Sequence, residues 1–154
     1  MELEDLVSPE GVIAHLKVTS KKQALQELSA RAAALTGLSE RTVFETLLER
    51  ERLGSTGVGQ GIAIPHGKLT ELTRLYGLFA RLETPIGFES VDDQPVDLVF
   101  LLLAPETAGA DHLKALARIS RLLRNPAVVE KLRASDDPAA LFAILTEPVA
   151  THAA

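Results

Sequence analysis

The segment Val96–Ala104 is apolar at every position except Asp97, and it does not alternate. A strand with one wet face alternates apolar and polar residues, whereas a continuous apolar run marks a strand covered on both faces. This run therefore demands apolar layers on each side of a central sheet. It is too short to cross a bilayer, which takes about 20 residues.

The rest of the chain supplies those layers. Val12 to Val18 alternates enough for a short strand, and Ser20-Lys-Lys-Gln23 has the spacing of a helix capping box. Ala24, Leu25, Leu28, Ala32 and Leu35 then recur at helical period until Gly37. Ser39 caps a second helix, with Val43, Phe44, Leu47 and Leu48 inward, that ends at Leu53-Gly54. Ile62 to Ile64 reads as a β-branched strand and Leu75 to Leu82 as an alternating one. Turns are expected at Thr84–Gly87 and Asp92–Pro95. Three helices follow the apolar run, at about 110–124, at 126–134 after Asn125-Pro126, and at 138–146 after Asp136-Asp-Pro138. Helices thus precede and follow the strands, which predicts a single α/β domain, a mixed β-sheet flanked by helices on both sides. The domain is expected over residues 1–148, with 149–154 as a flexible tail.

Composition narrows the function. The 154 residues contain no cysteine, which excludes disulfides, thiolate catalysis and Cys-based zinc sites. The acidic start Met1-Glu-Leu-Glu-Asp5 is unlike a signal peptide, so a cytoplasmic location without membrane insertion is expected. A net charge of −5 and 4% aromatic residues give neither the basic stripe nor the stacking platform of a nucleic-acid binder. Arg118, Arg121 and Arg124 form a basic helix edge, read here as a solvated face.

Five of the ten glycines, Gly54, Gly57, Gly59, Gly61 and Gly67, fall in one window that ends Ile62-Ala-Ile-Pro-His-Gly-Lys68. His66 follows a rigid proline and precedes a glycine, so the window reads as an imidazole on an accessible loop among bare backbone N–H groups, suited to an anion. It is not a P-loop, because Gly61 is one residue too far from Gly67-Lys68 and Leu69 replaces the hydroxyl. Nor is it a dinucleotide fingerprint, since the last glycine spacing is wrong and a strand follows. A glycine-rich turn beside a surface histidine is the plain alternative.

Two further positions break their own patterns. In the second helix Glu51 falls within the apolar stripe and Arg50 at its edge. They read either as a frayed end with a snorkelling arginine or as an ion pair that aims the guanidinium at an anion. His112 lies in the first turn of its helix, in register with Leu116, Ile119 and Leu123. It is either a core histidine or a group that uses the electropositive helix terminus to meet phosphate. A metal site joining His66 and His112 to Asp97 or Glu51 is a rival, but the ligand spacing of a metal motif is missing. His15 and His152 are weaker candidates.

The stretches Leu47–Gly54, Thr56–Lys68, Leu82–Phe88 and Gln94–Phe100 resemble the enzyme IIA family of the bacterial phosphoenolpyruvate-dependent phosphotransferase system, mannitol/fructose type, and most of all its nitrogen-regulatory branch. The likeness runs from about Leu6 to Leu145. It implies that the histidine of Ile-Pro-His-Gly, His66, is phosphorylated, with Nε2 the expected atom. It matches His112 to the family's second histidine, a phosphoryl stabiliser, and Arg50 to its phosphate-binding arginine. Thr56, Gly57, Gly59, Gly61, Gly67 and Glu51 become supporters. The resemblance further implies a phosphocarrier protein of the HPr or NPr type as donor, and regulatory targets such as potassium transport or sensor kinases. No metal or organic cofactor is called for. A sugar-specific IIA component serving a IIB domain in fructose or mannitol uptake is the alternative, and a non-catalytic binding module is a third reading.

Overall fold

The computed structural model describes residues 1–147; the expected tail at 149–154, with His152, lies outside them. Six strands form one mixed sheet: β1 (Val7–Leu16), β2 (Gly57–Gly59), β3 (Ile62–Ala63), β4 (His66–Leu69), β5 (Tyr76–Ile86) and β6 (Val96–Pro105). The order is β1-β5-β6-β3-β2, and β4 also pairs with β6. β5 and β6 are antiparallel, β1 is parallel to β5, and β3 and β4 run parallel to β6 one after the other.

The unalternating run is β6, and it does face apolar layers on both sides. Val99, Leu101 and Leu103 pack with α1 (Lys21–Thr36) and α2 (Glu40–Arg52) through Leu25, Leu28, Val43 and Leu47. Leu98, Phe100 and Leu102 pack with α3 (Ala110–Leu123), α4 (Pro126–Ala134) and α5 (Pro138–Leu145) through Ile119, Leu132 and Leu141. Each side's burial drives the fold, at roughly 1.5–3 kcal/mol for a large apolar side chain. Asp97 is half-buried and bonds Arg133, 2.9 Å away; Arg133 also donates to the Gln60 carbonyl at 2.6 Å. The one charge in the run thus ties α4 to the turn before β3.

Helices α4 and α5 match their sequence signals to within a residue because their caps are strong. Asn125 accepts from the Ala127 N–H and Asp137 from the Ala140 N–H, each followed by proline at the first helical position. Ser20 accepts from the Gln23 N–H, but Gln23 answers the Thr19 N–H, one residue earlier than a capping box requires.

Several strand limits differ from the sequence reading. β1 begins at Val7, not Val12, with a register shift between those residues; it is an edge strand, where proline such as Pro9 is tolerated. β5 continues through Thr84-Pro85 to Ile86, past the expected turn, also with a shift in register. The glycine window is not one loop. β2 and β3 form a hairpin in which Gly59 pairs with Ile62, and the two turn residues, Gln60 (φ 58°) and Gly61 (φ 82°), are both left-handed as such a turn requires.

His66 is likewise not on a loop but is the half-buried first residue of β4, in register with Leu102 of β6. Pro65 separates β3 from β4, yet its carbonyl accepts from the Leu102 N–H at 2.9 Å, so the run stays bound to β6. Gly67 faces α2, where a Cβ would come within 2.7 Å of Thr46 Cγ2. Its lack of a side chain serves helix–strand contact. We expect Gly67→Ala to destabilise the protein by about 1–3 kcal/mol through overpacking, and Thr46→Ser, which removes that methyl, to restore part of the loss. Urea unfolding of the single and double variants checks this; equal stability of Gly67→Ala and wild type would contradict it.

Candidate active site

Strand alternation decides what surrounds His66. Gly67 and Leu69 point to the α1/α2 layer, so His66 and Lys68 point to the opposite face, where α3 starts. There His112, in the first turn of α3, brings its ring to 5.7 Å from the His66 ring, centroid to centroid. Arg50 in the last turn of α2 reaches the same place from the other layer. Thr46, Glu49, Arg50, Arg52, Leu53, His66, Gly67, Lys68 and His112 line one open depression.

Both ring nitrogens of His66 are engaged. Nδ1 lies 2.8 Å from the Ile64 carbonyl oxygen, which can only accept, so Nδ1 carries the proton. Nε2 is then a bare lone pair, and it accepts a bond from Arg50 Nε at 3.3 Å. Arg50 Nη1 donates to the Gly54 carbonyl at 3.0 Å, which anchors the guanidinium to its own helix end. His112 is buried, and its Nδ1 is sealed without a hydrogen-bond partner among the described residues. Exchange with anything in the depression falls to its Nε2.

Glu51 does not pair with Arg50. It is buried behind the site, where it accepts from the Thr56 N–H at 3.0 Å and from the Thr56 hydroxyl, and Lys21 Nζ lies 2.9 Å away. The ion pair expected of Arg50 and Glu51 is therefore a Lys21–Glu51 pair, because the two side chains leave α2 in different directions. The structure brings together His66, His112, Arg50 and Gly67. Thr56 and Glu51 form a shell behind them. Gly57, Gly59 and Gly61 do not line the depression: they pack against Ser90, Asp92 and the Arg133–Asp97 pair. The carboxylates of Asp97 and Glu51 are engaged elsewhere, and among the described residues no three potential metal ligands converge. Arg118 is paired with Glu2 at 2.8 Å and partly covered, whereas Arg121 and Arg124 are exposed as read. His15 sits in β1, 3.2 Å from Glu83.

Sequence reasoning did not single out Lys68 or Lys21. For Lys68 a signal existed: it stands two residues after His66, the spacing of one strand face. For Lys21 none did, since its partner is thirty positions away.

The chain matches the family described as "Phosphoenolpyruvate-dependent sugar phosphotransferase system, EIIA 2" over residues 5–147. It is 65% identical over 153 residues to a nitrogen regulatory protein of Bradyrhizobium diazoefficiens, covering 99% of this chain and 100% of that protein. It is 36% identical to a fructose-specific EIIA component of Haloferax volcanii, covering 84% and 85%. Among solved structures, the nitrogen regulatory protein IIA-Ntr of Neisseria meningitidis superposes with a TM-score of 0.89 at 35% identity, covering 94% of this chain and 99% of that one. A mixed sheet between helical layers is thus the fold of a phosphotransferase-system IIA protein, and the chain belongs to the EIIA 2 family. Within that family it falls in the nitrogen-regulatory branch.

Burial sets the charge state of the pair. His66 is held below the ordinary histidine pKa of 6.5 chiefly by burial, with the Arg50 charge adding to the depression while the Ile64 bond and Glu51 oppose it. His112 is also lowered, by burial first and then by the charges of His66 and Lys68. The unfolded chain therefore binds more protons than the native protein once pH falls below about 6.5. Stability from these groups is complete above that value and is lost as pH falls through the folded pKa values. We expect the unfolding free energy of wild type to drop more steeply as pH falls below about 6.5 than that of a His66→Gln/His112→Gln variant. Urea titrations at a series of pH values test this, and parallel profiles would contradict it.

Proposed function

We propose that this protein is a cytoplasmic phosphoryl carrier of the nitrogen-regulatory branch. His66 takes a phosphoryl group from a phosphocarrier protein of the HPr or NPr type, and the resulting state is read by regulatory targets such as potassium transport or sensor kinases. The observation that carries the reading is the His66 imidazole itself: neutral, protonated on Nδ1 by its bond to Ile64, with a bare Nε2 beside Arg50 in an open depression.

The chemistry needs little more. The Nε2 lone pair forms the new N–P bond as the donor's phosphohistidine N–P bond breaks and its electron pair returns to the donor ring. No proton has to leave, because Nδ1 keeps its own. The ring gains positive charge, and the Ile64 carbonyl stabilises it through Nδ1–H. Arg50, which now occupies the Nε2 direction through a long 3.3 Å contact, yields to the phosphorus and turns its N–H groups to the phosphoryl oxygens. With Nδ1 of His112 sealed, a proton on Nε2 makes that imidazole a neutral donor to the same group. Lys68 adds a further positive charge at the rim. Preorganised donors of this kind act on charge that develops in transfer. The open shape suits a donor and a target that are both proteins. Residues 1–148 are proposed to form the EIIA domain.

Incubation with phosphoenolpyruvate, enzyme I and a phosphocarrier should add one phosphoryl group by intact mass, stable in base and labile in acid. His66→Ala should remain folded and gain none. No gain in wild type with an active donor set would leave only a binding module of this fold. Transfer onward to a sugar-specific IIB at the rate of that IIB's own partner would instead favour a sugar-specific component.

His112 separates assistant from acceptor. Loss of one preorganised donor costs roughly 3 kcal/mol in the transition state, about a hundredfold in rate. His112→Ala should load His66 far more slowly, and His112→Gln, which can still donate, should recover part of the rate. Rapid-quench measurement of loading decides; wild-type rates in both variants would make His112 a packing residue.

A further inference from the structure

The two contacts that grip the His66 ring trace back to one residue, Glu51, by its buried carboxylate on one side and by its backbone on the other. On the Nδ1 side, the Ile64 carbonyl accepts from His66; the Ile64 N–H donates to the Thr56 carbonyl at 3.0 Å; and Thr56 is held through its N–H and hydroxyl by Glu51. On the Nε2 side, Arg50 is the neighbour of Glu51 in the last turn of α2, and its guanidinium is tied to Gly54, whose N–H bonds the Glu51 carbonyl. The Glu51 carboxylate therefore fixes the strand that presents the carbonyl, while the Glu51 backbone carbonyl, through Gly54, steadies the helix end that presents the guanidinium.

A carboxylate so placed is also a liability. Its side chain is only 4% exposed, and a buried carboxylate without a counter-charge is costly. It is a negative charge close to a site that must admit a phosphoryl dianion. Lys21, in the first turn of α1, answers both problems. Its ammonium lies 2.9 Å from Glu51 Oε1, its side chain is mostly covered, and it rests 4.8 Å over the Phe88 ring, with exposed Glu89 as a second partner at 3.3 Å. Lys21 does not line the depression.

We propose that Lys21 is a positioning residue of the phosphoryl site: by neutralising and fixing the Glu51 carboxylate it holds, through Thr56 and Ile64, the carbonyl that selects the His66 tautomer. This rests on His66 as the phosphoryl acceptor. Without Lys21, the unpaired carboxylate draws on other partners, Thr56 shifts, and Ile64 no longer aims its carbonyl at Nδ1. A displacement of about 1 Å in such a site costs up to roughly a hundredfold in rate.

Two measurements on the full chain test the proposal. The first needs no donor: ring-nitrogen NMR of His66 at a pH where the imidazole is neutral reports which nitrogen carries the proton. Wild type should be the Nδ1–H form, and Lys21→Met should mix in the Nε2–H form. The second is the loading rate from phosphocarrier. Lys21→Met should lower kcat by between about tenfold and a hundredfold while the KM for donor stays near wild type, because the docking surface is untouched. Lys21→Arg, which keeps the charge, should restore both. Should Lys21→Met fail to fold, Lys21→Gln offers a neutral partner of similar reach for the same readouts. A wild-type tautomer or a wild-type kcat in the neutral variant overturns the proposal, whatever its melting temperature. If wild type takes up no phosphoryl group, the acceptor reading fails, and the tautomer measurement still decides the role of Lys21.

Discussion

His66 owes its position to β6, which carries two short strands in succession along one edge. β3 pairs with Leu98 and Val99, Pro65 breaks the ladder's regularity, and β4 resumes at Leu102. A four-residue strand reading His-Gly-Lys-Leu has little strand propensity of its own; it is extended because a buried, fully paired neighbour offers it a ladder. The sheet edge then sets the imidazole where α2 ends and α3 begins. Everything else at the site follows from that junction: an arginine from one helical layer, a histidine from the other, and a lysine two residues along the strand.

The electrostatics of the junction suit the proposed role of His66, a neutral imidazole set among cations. Burial keeps both imidazoles uncharged near neutral pH, while Arg50, Arg52 and Lys68 outnumber Glu49 in the lining of the same depression. A protonated His66 would have no lone pair to offer, and a site without cations would repel a phosphoryl dianion. The arrangement meets both conditions by separating functions: desolvation sets the protonation state, and groups at the rim supply charge. Glu51, buried behind the depression, is offset by Lys21.

What could be read from the sequence was what local chemistry determines. The unalternating β6 announced two helical layers, and the Asn-Pro and Asp-Pro caps placed α4 and α5. The misplaced polarity of Arg50, Glu51 and His112 marked three residues whose side chains leave the helical pattern for the depression or the shell behind it. What could not be read depends on contacts distant in sequence. The ladder on β6 makes a strand of His66–Leu69, an edge position lets β1 run through Pro9, and the hairpin turn at Gln60-Gly61 lacks the usual Asn-Gly signal. The partner of Glu51 was misread as Arg50 because adjacency on a helix says nothing about where two side chains diverge. Lys21 showed in the sequence only as part of a cap.

The central claim is that Nε2 of His66 is the atom that takes the phosphoryl group, because Nδ1 is held as N–H by Ile64. The most direct measurement is nitrogen–phosphorus coupling by NMR on the phosphorylated protein, labelled in its histidine rings. The account predicts a single phosphorus coupled to Nε2 of His66, with Nδ1 still carrying its proton. Coupling to Nδ1 of His66, or to either nitrogen of His112, would contradict it.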